Sequence, residues 1–277
     1  MSAKRATVER HVTAFLEEPD PDEMENAIHL PDTAQEFGYT TALVGGATAY
    51  GWTVPAIREA LGEAWLNEGW VDVSFRRPVY PGDNLSVRLT ATEEGPHEFV
   101  VSKDDGSRAL VGLVGMGRAP WFSALQRPET ASPSSRATDR PRLTPENLPV
   151  GQDVPSMAIP ASVAAAEEYV ARTGVGADDG SLWTGRGARL HPAWLASRAT
   201  RLIGHSYQHY PALHARSQIQ HCGAAMAGQT VVMSGRIVEG YERKGHEYMV
   251  LDCWIAGEDG RDLAAHRQTA IYQPAVR

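Results

Sequence analysis

The chain of 277 residues has little cysteine, no long apolar run and no apolar leader. Its two cysteines, Cys222 and Cys253, do not make a disulfide framework in a chain this long, and we expect both to be small buried residues of strands. The N-terminal residues MSAKRATVERHVTAF contain no apolar core of a signal peptide, and no segment approaches the length of a membrane span. We therefore expect a cytoplasmic protein that contacts no membrane.

Clustered positive charge is also absent. The net charge is −8 and lysine and arginine form no cluster, which argues against a nucleic-acid partner. A local basic spot is still compatible with the phosphates of a bound molecule. The chain lacks a Gly-x-Gly-x-x-Gly after a strand, a Walker loop and a Gly-x-Ser-x-Gly elbow. Dinucleotide, nucleotide and α/β-hydrolase chemistry are therefore disfavoured, and we expect no cofactor.

The histidines do not have the spacing of a metal site. Only His205 and His209 are four residues apart, and the predicted helix ends before the second of them. No acidic residues complete a ligand set of the usual spacing. We expect no bound metal ion.

A shift of 146 residues relates the two halves of the chain, with Gly82 over Gly228 and 42–75 over 188–221. Each copy begins with a turn of small residues or proline and continues as a helix with apolar residues three and four apart. The apolar positions are Ala47, Tyr50, Val54, Ile57 and Leu61 in the first copy and Leu195, Ala199, Leu202 and Ile203 in the second. Pro192 suits a first turn, whereas Pro55 predicts that the first helix kinks or restarts.

Strand patterns of period two follow each helix. Val71, Val73 and Phe75 alternate with polar residues in the first copy, and 213–219 alternate similarly in the second. Hairpin signals lie at 104–106 and 258–260. Each half is therefore predicted to form one long helix followed by four antiparallel strands.

These patterns predict an α+β chain, with two antiparallel sheets each wrapped around a central helix. One such sheet alone would have open edges, so we expect the two copies to join edge to edge as one continuous surface. The predicted units are 1–125 and 159–277, joined by a linker at 126–158 that is rich in proline and serine. A short helix is predicted from Ser162 to Arg172, at the start of the second unit.

Three stretches resemble a known family. ENAIHLPDTAQEFGY followed by ALVGG, at 25–39 and 42–46, resembles the signature of MaoC-like R-specific enoyl thioester hydratases, and VSFRRPVYPGDNLSV resembles the strand–turn–strand that follows it. ALHARSQIQH and YERKGHEYMVLDCWI are similar to the second half of double-hotdog relatives. The resemblance implies a tandem, or double, hotdog fold and a substrate that is an acyl thioester of coenzyme A or of an acyl-carrier protein.

The family signature is matched only in part. Asn26, Ile28 and His29 occupy its Asn, aliphatic and His positions, while Ala27 replaces its proline. Met24 stands where the hydratases have a catalytic Asp, so Glu25, or else Asp22 or Glu23, would have to replace that acid. The resemblance implies that His29, Glu25 and Asn26 form the catalytic group.

Hydration of an enoyl thioester needs a base for water, a proton donor for the α-carbon and donors for the thioester oxygen. His29 and Glu25 would exchange the protons, and Gly45 and Gly46 would expose backbone N–H groups at a helix start. Tyr50 and His214 are further expected substrate-binding residues. His214 and Ser217 fall on opposite faces of a regular strand, so we expect no His–Ser dyad. Alternatively, His29 only closes its loop, Glu25 is a solvated acid, and the glycines only form a turn.

Other functions fit the same pattern. A hotdog thioesterase, a non-catalytic acyl-binding protein and a natural-product pathway enzyme remain alternatives, and a homodimer is compatible with the sequence. The repeat places Val175 over His29. We therefore predict one active site per chain, at the seam between the halves.

Overall fold

The computed structural model describes residues 7–16, 26–92, 95–129, 132–176, 180–208 and 211–275. Within these residues ten strands form one sheet: β1 Thr7–Thr13, β2 Trp70–Phe75, β3 Asn84–Thr90, β4 His97–Lys103, β5 Arg108–Gly115, β6 Asp153–Ala161, β7 Leu213–His221, β8 Gln229–Arg243, β9 His246–Ala256 and β10 Asp262–Gln273. Their order is β1-β3-β4-β5-β2-β7-β10-β9-β8-β6, and every pair of neighbours is antiparallel. The expected antiparallel strands and their edge-to-edge joining into one continuous surface are confirmed. The two halves do not form two separate sheets.

The described residues form seven helices. They are α1 Pro31–Glu36, α2 Gly46–Gly51, α3 Val54–Leu61, α4 Trp65–Glu68, α5 Val163–Thr173, α6 Gly180–Trp183 and α7 Pro192–Ser206, with 3-10 turns at Ala27–His29 and Phe122–Ala124. Of these, α2 and α7 contact each other across the two halves. The predicted restart near Pro55 is confirmed, because α2 ends at Gly51 and α3 starts with proline in its first turn. Pro192 opens α7 as expected.

The β2–β7 ladder joins the two halves and lies on their approximate twofold axis. Asp72 and Gln218, which the shift of 146 aligns, face each other across this ladder. The Gln218 amide donates to the Asp72 carboxylate at 3.0 Å, and Arg216 binds both carboxylate oxygens at 2.8 and 2.6 Å. The two halves therefore meet at equivalent residues.

Equivalent backbone contacts support the repeat. The Val44 N–H donates to Val79 at 2.9 Å in the first half, and the Leu190 N–H donates to Ala225 at 2.8 Å in the second. Gly82 and Gly228 both have a positive φ, 88° and 92°, in the turns that the repeat predicted. Glycine adopts this left-handed conformation without a steric penalty.

The central helices α2 and α7 approach closely at Gly51. A Cβ on Gly51 would stand 2.8 Å from the Ala193 Cβ and 2.4 Å from Val175 Cγ1. Close contact between the helices therefore requires a residue without a side chain at this position. Val175, the counterpart of His29, is buried in this contact.

The edge strands β1 and β6 were not predicted. β1 half-buries one face and exposes the other, and β6 contains Pro155 and Pro160 at exposed positions. Proline is tolerated at sheet edges because an edge strand leaves some N–H groups unpaired. β6 begins before residue 159, so regular structure starts inside the predicted linker. The unit boundaries themselves stay a prediction.

The described part of the linker runs along the second half of the sheet. The Gln126 N–H donates to Asp252 at 2.7 Å, Arg127 binds Asp262 through both nitrogens at 2.7 Å, and the Gly151 N–H donates to Ile237 at 2.7 Å. The linker is thus held against β8, β9 and β10. Of the helices in the described ranges, none combines the length and apolar character needed to cross a bilayer.

Several buried histidines make the fold sensitive to acid. Burial lowers the pKa of His191, His214 and His266 to about 3 and that of His221 to about 4. An unfolded chain binds these protons near the ordinary value of 6.5, so between that pH and about 4 the unfolded state holds more protons than the folded one. The free energy of unfolding must therefore fall as the pH falls through this window, by up to about 1.4 kcal/mol per pH unit for each proton.

We predict that His191→Asn makes this dependence shallower. His191 caps α7 by accepting the Ala193 N–H at 3.1 Å, and asparagine can keep that acceptor. Urea unfolding between pH 7 and 5 should give a slope reduced by up to about one proton. His11→Asn, an exposed position on β1, is the control with an unchanged slope. Equal slopes for wild type and His191→Asn would contradict the prediction.

Candidate active site

A cavity of about 350 Å³ lies at the seam between the halves. The first half contributes the loop of Asn26 and His29 and the start of α2, and the second contributes residues of α5, α7 and of the strands β7, β9 and β10. Of the predicted site residues, Asn26, His29, Gly45, Gly46 and His214 line this cavity. The structure therefore brings together most of the residues selected from the sequence.

Asn26 fastens the His29 loop to the second half. Its Oδ1 accepts the Ala212 N–H at 3.1 Å and its Nδ2 donates to the Ala212 carbonyl at 3.1 Å. The paired contact uses the amide oxygen as an acceptor and the amide nitrogen as a donor. Asn26 thus fixes where its loop meets the strand that carries His214.

His29 has a defined orientation. Its Nδ1 lies 2.7 Å from the Leu43 carbonyl oxygen, which can only accept, so Nδ1 carries the proton. In the neutral ring Nε2 is then an acceptor, and the Asn26 amide approaches it at 3.5 Å. The ring is half-buried at the cavity wall. A neutral histidine held in this way has the tautomer that a base requires.

The start of α2 packs against His214. Gly45 precedes the helix and Gly46 is its first residue, so the first N–H groups of α2 have no acceptor within the helix. A Cβ on Gly46 would stand 2.9 Å from the Cβ and 3.1 Å from Nδ1 of His214. The missing side chain of Gly46 therefore makes room for His214 itself, not only for a ligand as we expected.

His214 and Ser217 do form a hydrogen-bonded pair, which corrects the expectation from strand alternation. Nε2 of His214 lies 2.6 Å from the Ser217 Oγ, and that oxygen lies 2.6 Å from Nε2 of His266. The β7–β10 register skips Ala215, with Arg216 opposite Thr269 and His214 opposite Ala270. This bulge shifts the alternation by one residue and turns His214 to the side of Ser217.

Two predicted residues stand apart from this group. Tyr50 is buried in the core and does not line the cavity; its hydroxyl has no hydrogen-bond partner in the described part of the chain, and burial raises its pKa. Glu25, with Asp22, Glu23 and Met24, lies outside the described residues. The catalytic acid therefore stays a prediction.

The cavity wall carries positive charge. Arg76, Arg77, Arg172 and Arg201 line it, and the described lining includes no aspartate or glutamate. Arg172 and Arg201 also have other interactions, whereas Arg76 and Arg77 are exposed at the wall. The cavity thus favours an anionic group on its ligand.

Aromatic rings occupy the corresponding place in the second half. His191 aligns with Gly45 and His221 with Phe75, and these two histidines contact Trp183 and Trp65 with ring centroids at 4.5 and 4.8 Å. All four of these side chains are buried. The two ends of the seam are therefore unlike: one is hollow and the other is filled.

Solved structures of other proteins share this fold. A MaoC domain dehydratase from Chloroflexus aurantiacus aligns with a TM-score of 0.64 at 13% identity, over 98% of this chain and 95% of that one. A conserved protein of Mycobacterium tuberculosis with a double hotdog fold aligns with a TM-score of 0.62 at 12% identity, over 97% and 96% of the two chains. The chain has the double-hotdog fold of MaoC-like proteins. The fold implied by the sequence resemblance is thereby confirmed.

A third solved structure with a similar fold has a name that implies a different reaction. A protein described as an oleoyl thioesterase from Lactobacillus plantarum aligns with a TM-score of 0.55 at 11% identity, over 99% of each chain. No protein-family model and no curated protein sequence matches the chain. Double-hotdog neighbours thus include proteins named for two different reactions, and the fold alone does not choose between them.

Asn26→Ala should loosen the His29 loop. The substitution removes both partners of the Ala212 backbone, and an unsatisfied buried group costs about 1–3 kcal/mol. We expect faster amide hydrogen exchange at Ala212 and across 28–43, with a lower free energy of unfolding. Asn147→Ala is the matched control, because Asn147 makes an equivalent pair of contacts to Thr144 and Arg142 within one turn of the linker.

The two variants are compared by hydrogen exchange with mass-spectrometric detection. Asn147→Ala should speed exchange only around 142–147. If Asn26→Ala leaves exchange at 28–43 unchanged, Asn26 does not fasten the loop.

Proposed function

We propose that the protein binds an acyl thioester in the seam cavity and catalyses hydration of an enoyl thioester, or the reverse dehydration. The orientation of His29 is the observation that carries the proposal. Its Nδ1 is held by the Leu43 carbonyl, which leaves Nε2 as a proton acceptor at the cavity wall. The same loop carries the Asn and His of the hydratase-like signature.

His29 would take a proton from water as the oxygen bonds to the β-carbon. The electrons of the double bond then move toward the thioester carbonyl, and an acid delivers a proton to the α-carbon. Glu25 is our candidate for that acid, because it neighbours the position where the family has Asp. The carbonyl oxygen would point toward the N–H groups around Gly46, at the positive end of the helix dipole.

The charge and shape of the cavity support a thioester ligand. Arg76 and Arg77 are exposed at its wall and suit the phosphates of coenzyme A or of an acyl-carrier arm. Leu43, Val44, Leu110 and Met249 give it apolar surface for an acyl chain. A single site per chain is proposed, because the counterpart of His29 is Val175 in the core.

The test follows crotonyl-CoA in two parallel assays. Loss of the absorbance of the conjugated thioester reports hydration, and a thiol reagent reports release of free coenzyme A. We expect hydration by the wild type, and a decrease of about 10²–10⁴-fold in rate for His29→Ala, since a general acid–base group is lost. The hydration rate of Glu25→Gln should fall by a similar factor if Glu25 replaces the family acid.

A control variant separates the loss of a catalytic group from general damage to the fold. His11→Ala on β1 should keep the wild-type rate. Free thiol without loss of conjugation would favour a thioesterase, and binding without either signal would favour an acyl-binding protein. Full activity of His29→Ala would end the hydratase proposal for this loop.

A further inference from the structure

Three hydrogen-bonded polar side chains, two of them buried, form a series that ends at the cavity. His266 on β10 contacts Ser217 on β7, and Ser217 contacts His214, with both nitrogen-to-oxygen distances at 2.6 Å. Ser217 and His266 are each 1% exposed, whereas His214 lines the cavity. The cavity-facing ring is thus linked to groups that no ligand can reach.

The number of protons available to these two hydrogen bonds is limited. Each of the two contacts needs one proton, and the Ser217 hydroxyl supplies only one. Burial lowers the pKa of both histidines to about 3, so both rings are neutral at ordinary pH. One of the two Nε2 atoms must therefore carry a proton, and the other must accept one.

The surroundings of His266 decide between the two arrangements. Its Nδ1 is buried without a hydrogen-bond partner among the described residues. A buried N–H group without an acceptor is rarer in proteins than an acceptor lacking a donor. Nδ1 of His266 is then the bare nitrogen, and its Nε2–H donates to Ser217. Ser217 in turn donates to Nε2 of His214, which leaves the proton of His214 on Nδ1.

The protonated atom lies at the start of α2. Nδ1 of His214 would be 3.1 Å from a Cβ on Gly46, and the described residues offer it no hydrogen-bond partner. Phe75 packs against the ring with centroids 4.4 Å apart and holds its plane. The cavity therefore has an acceptor nitrogen from His29 and a donor nitrogen from His214, one from each half of the chain.

We propose that His214 donates its Nδ1–H to the carbonyl oxygen of the bound thioester, and that Ser217 and His266 are positioning residues that hold this tautomer. The identity of the ligand rests on the proposed function, whereas the tautomer does not. His214 forms a hydrogen bond and transfers no proton. A neutral donor of this kind stabilises the negative charge that develops on the oxygen during the reaction.

The tautomer is tested first, in the full chain with 15N-labelled histidine. Long-range 1H–15N correlations at neutral pH distinguish protonated from bare ring nitrogens, and His214→Asn and His266→Asn assign the signals. We expect His214 protonated at Nδ1 and His266 at Nε2. A wild-type His214 protonated at Nε2 overturns the inference.

Kinetics with crotonyl-CoA test the role of the donor. His214→Phe should lower kcat by about 10²–10³-fold, the usual loss for one oxyanion donor, with a smaller change in KM. His214→Asn offers an amide donor near the same place and should recover at least part of the rate. If the wild type hydrates crotonyl-CoA and His214→Phe does so at the same rate, the inference is overturned.

Variants of Ser217 test the positioning role. Ser217→Ala should give mixed tautomers of His214 and a lower kcat. Ser217→Thr keeps a hydroxyl and should retain the single tautomer and the wild-type kcat. Ser234→Ala, at another buried strand serine, is the matched control. A single unchanged tautomer in Ser217→Ala would remove Ser217 and His266 from the proposal.

Titration with butyryl-CoA, which cannot be hydrated, separates this inference from the proposed function. If the wild type does not hydrate crotonyl-CoA, the proposed function fails, and the titration still decides the role of His214. A shift of the His214 Nδ1–H resonance on adding butyryl-CoA to the wild type supports the donor. An unchanged resonance, whether or not butyryl-CoA binds, overturns it.

Discussion

The structure depends on the pairing of β2 with β7. This ladder turns two five-stranded halves into one sheet, and both strands would otherwise be open edges with unpaired backbone groups. Because Asp72 faces Gln218, the two equivalent strands pair with each other about an approximate twofold axis. The same pairing brings the end of β2, at Phe75, against the start of β7, at His214. The cavity exists at that junction.

Much of the fold could be predicted, because the central elements carry strong local patterns. The helices have apolar residues three and four apart, and Pro55 and Pro192 mark where helices start. The edge strands lack such a signal, since β1 only half-buries one face and β6 contains two prolines. Edge strands are specified by their neighbour in the sheet, which a single sequence does not display.

The site was predictable where a motif marked it and not where tertiary structure made it. Asn26 and His29 stand in a recognisable loop, but their partners Ala212 and Leu43 become visible only in the folded chain. Ser217 was excluded by regular alternation, and the bulge at Ala215 reversed that conclusion. A β-bulge re-aims side chains without a distinctive local sequence. His266 is buried in β10, and no motif around it in the sequence indicates a site.

Duplication explains why one seam end is hollow and the other filled. A second cavity at the start of α7 would leave more apolar surface unpacked, and cavities of that kind destabilise a core. Trp65 and Trp183 are buried at that end, and Val175, which the shift of 146 aligns with His29, is buried against Gly51. The filled end supplies rigidity to the β2–β7 junction, so the hollow end can hold polar groups in fixed positions. The filled end of the seam thus contributes packing and the hollow end contributes the binding cavity, although both copies have the same fold.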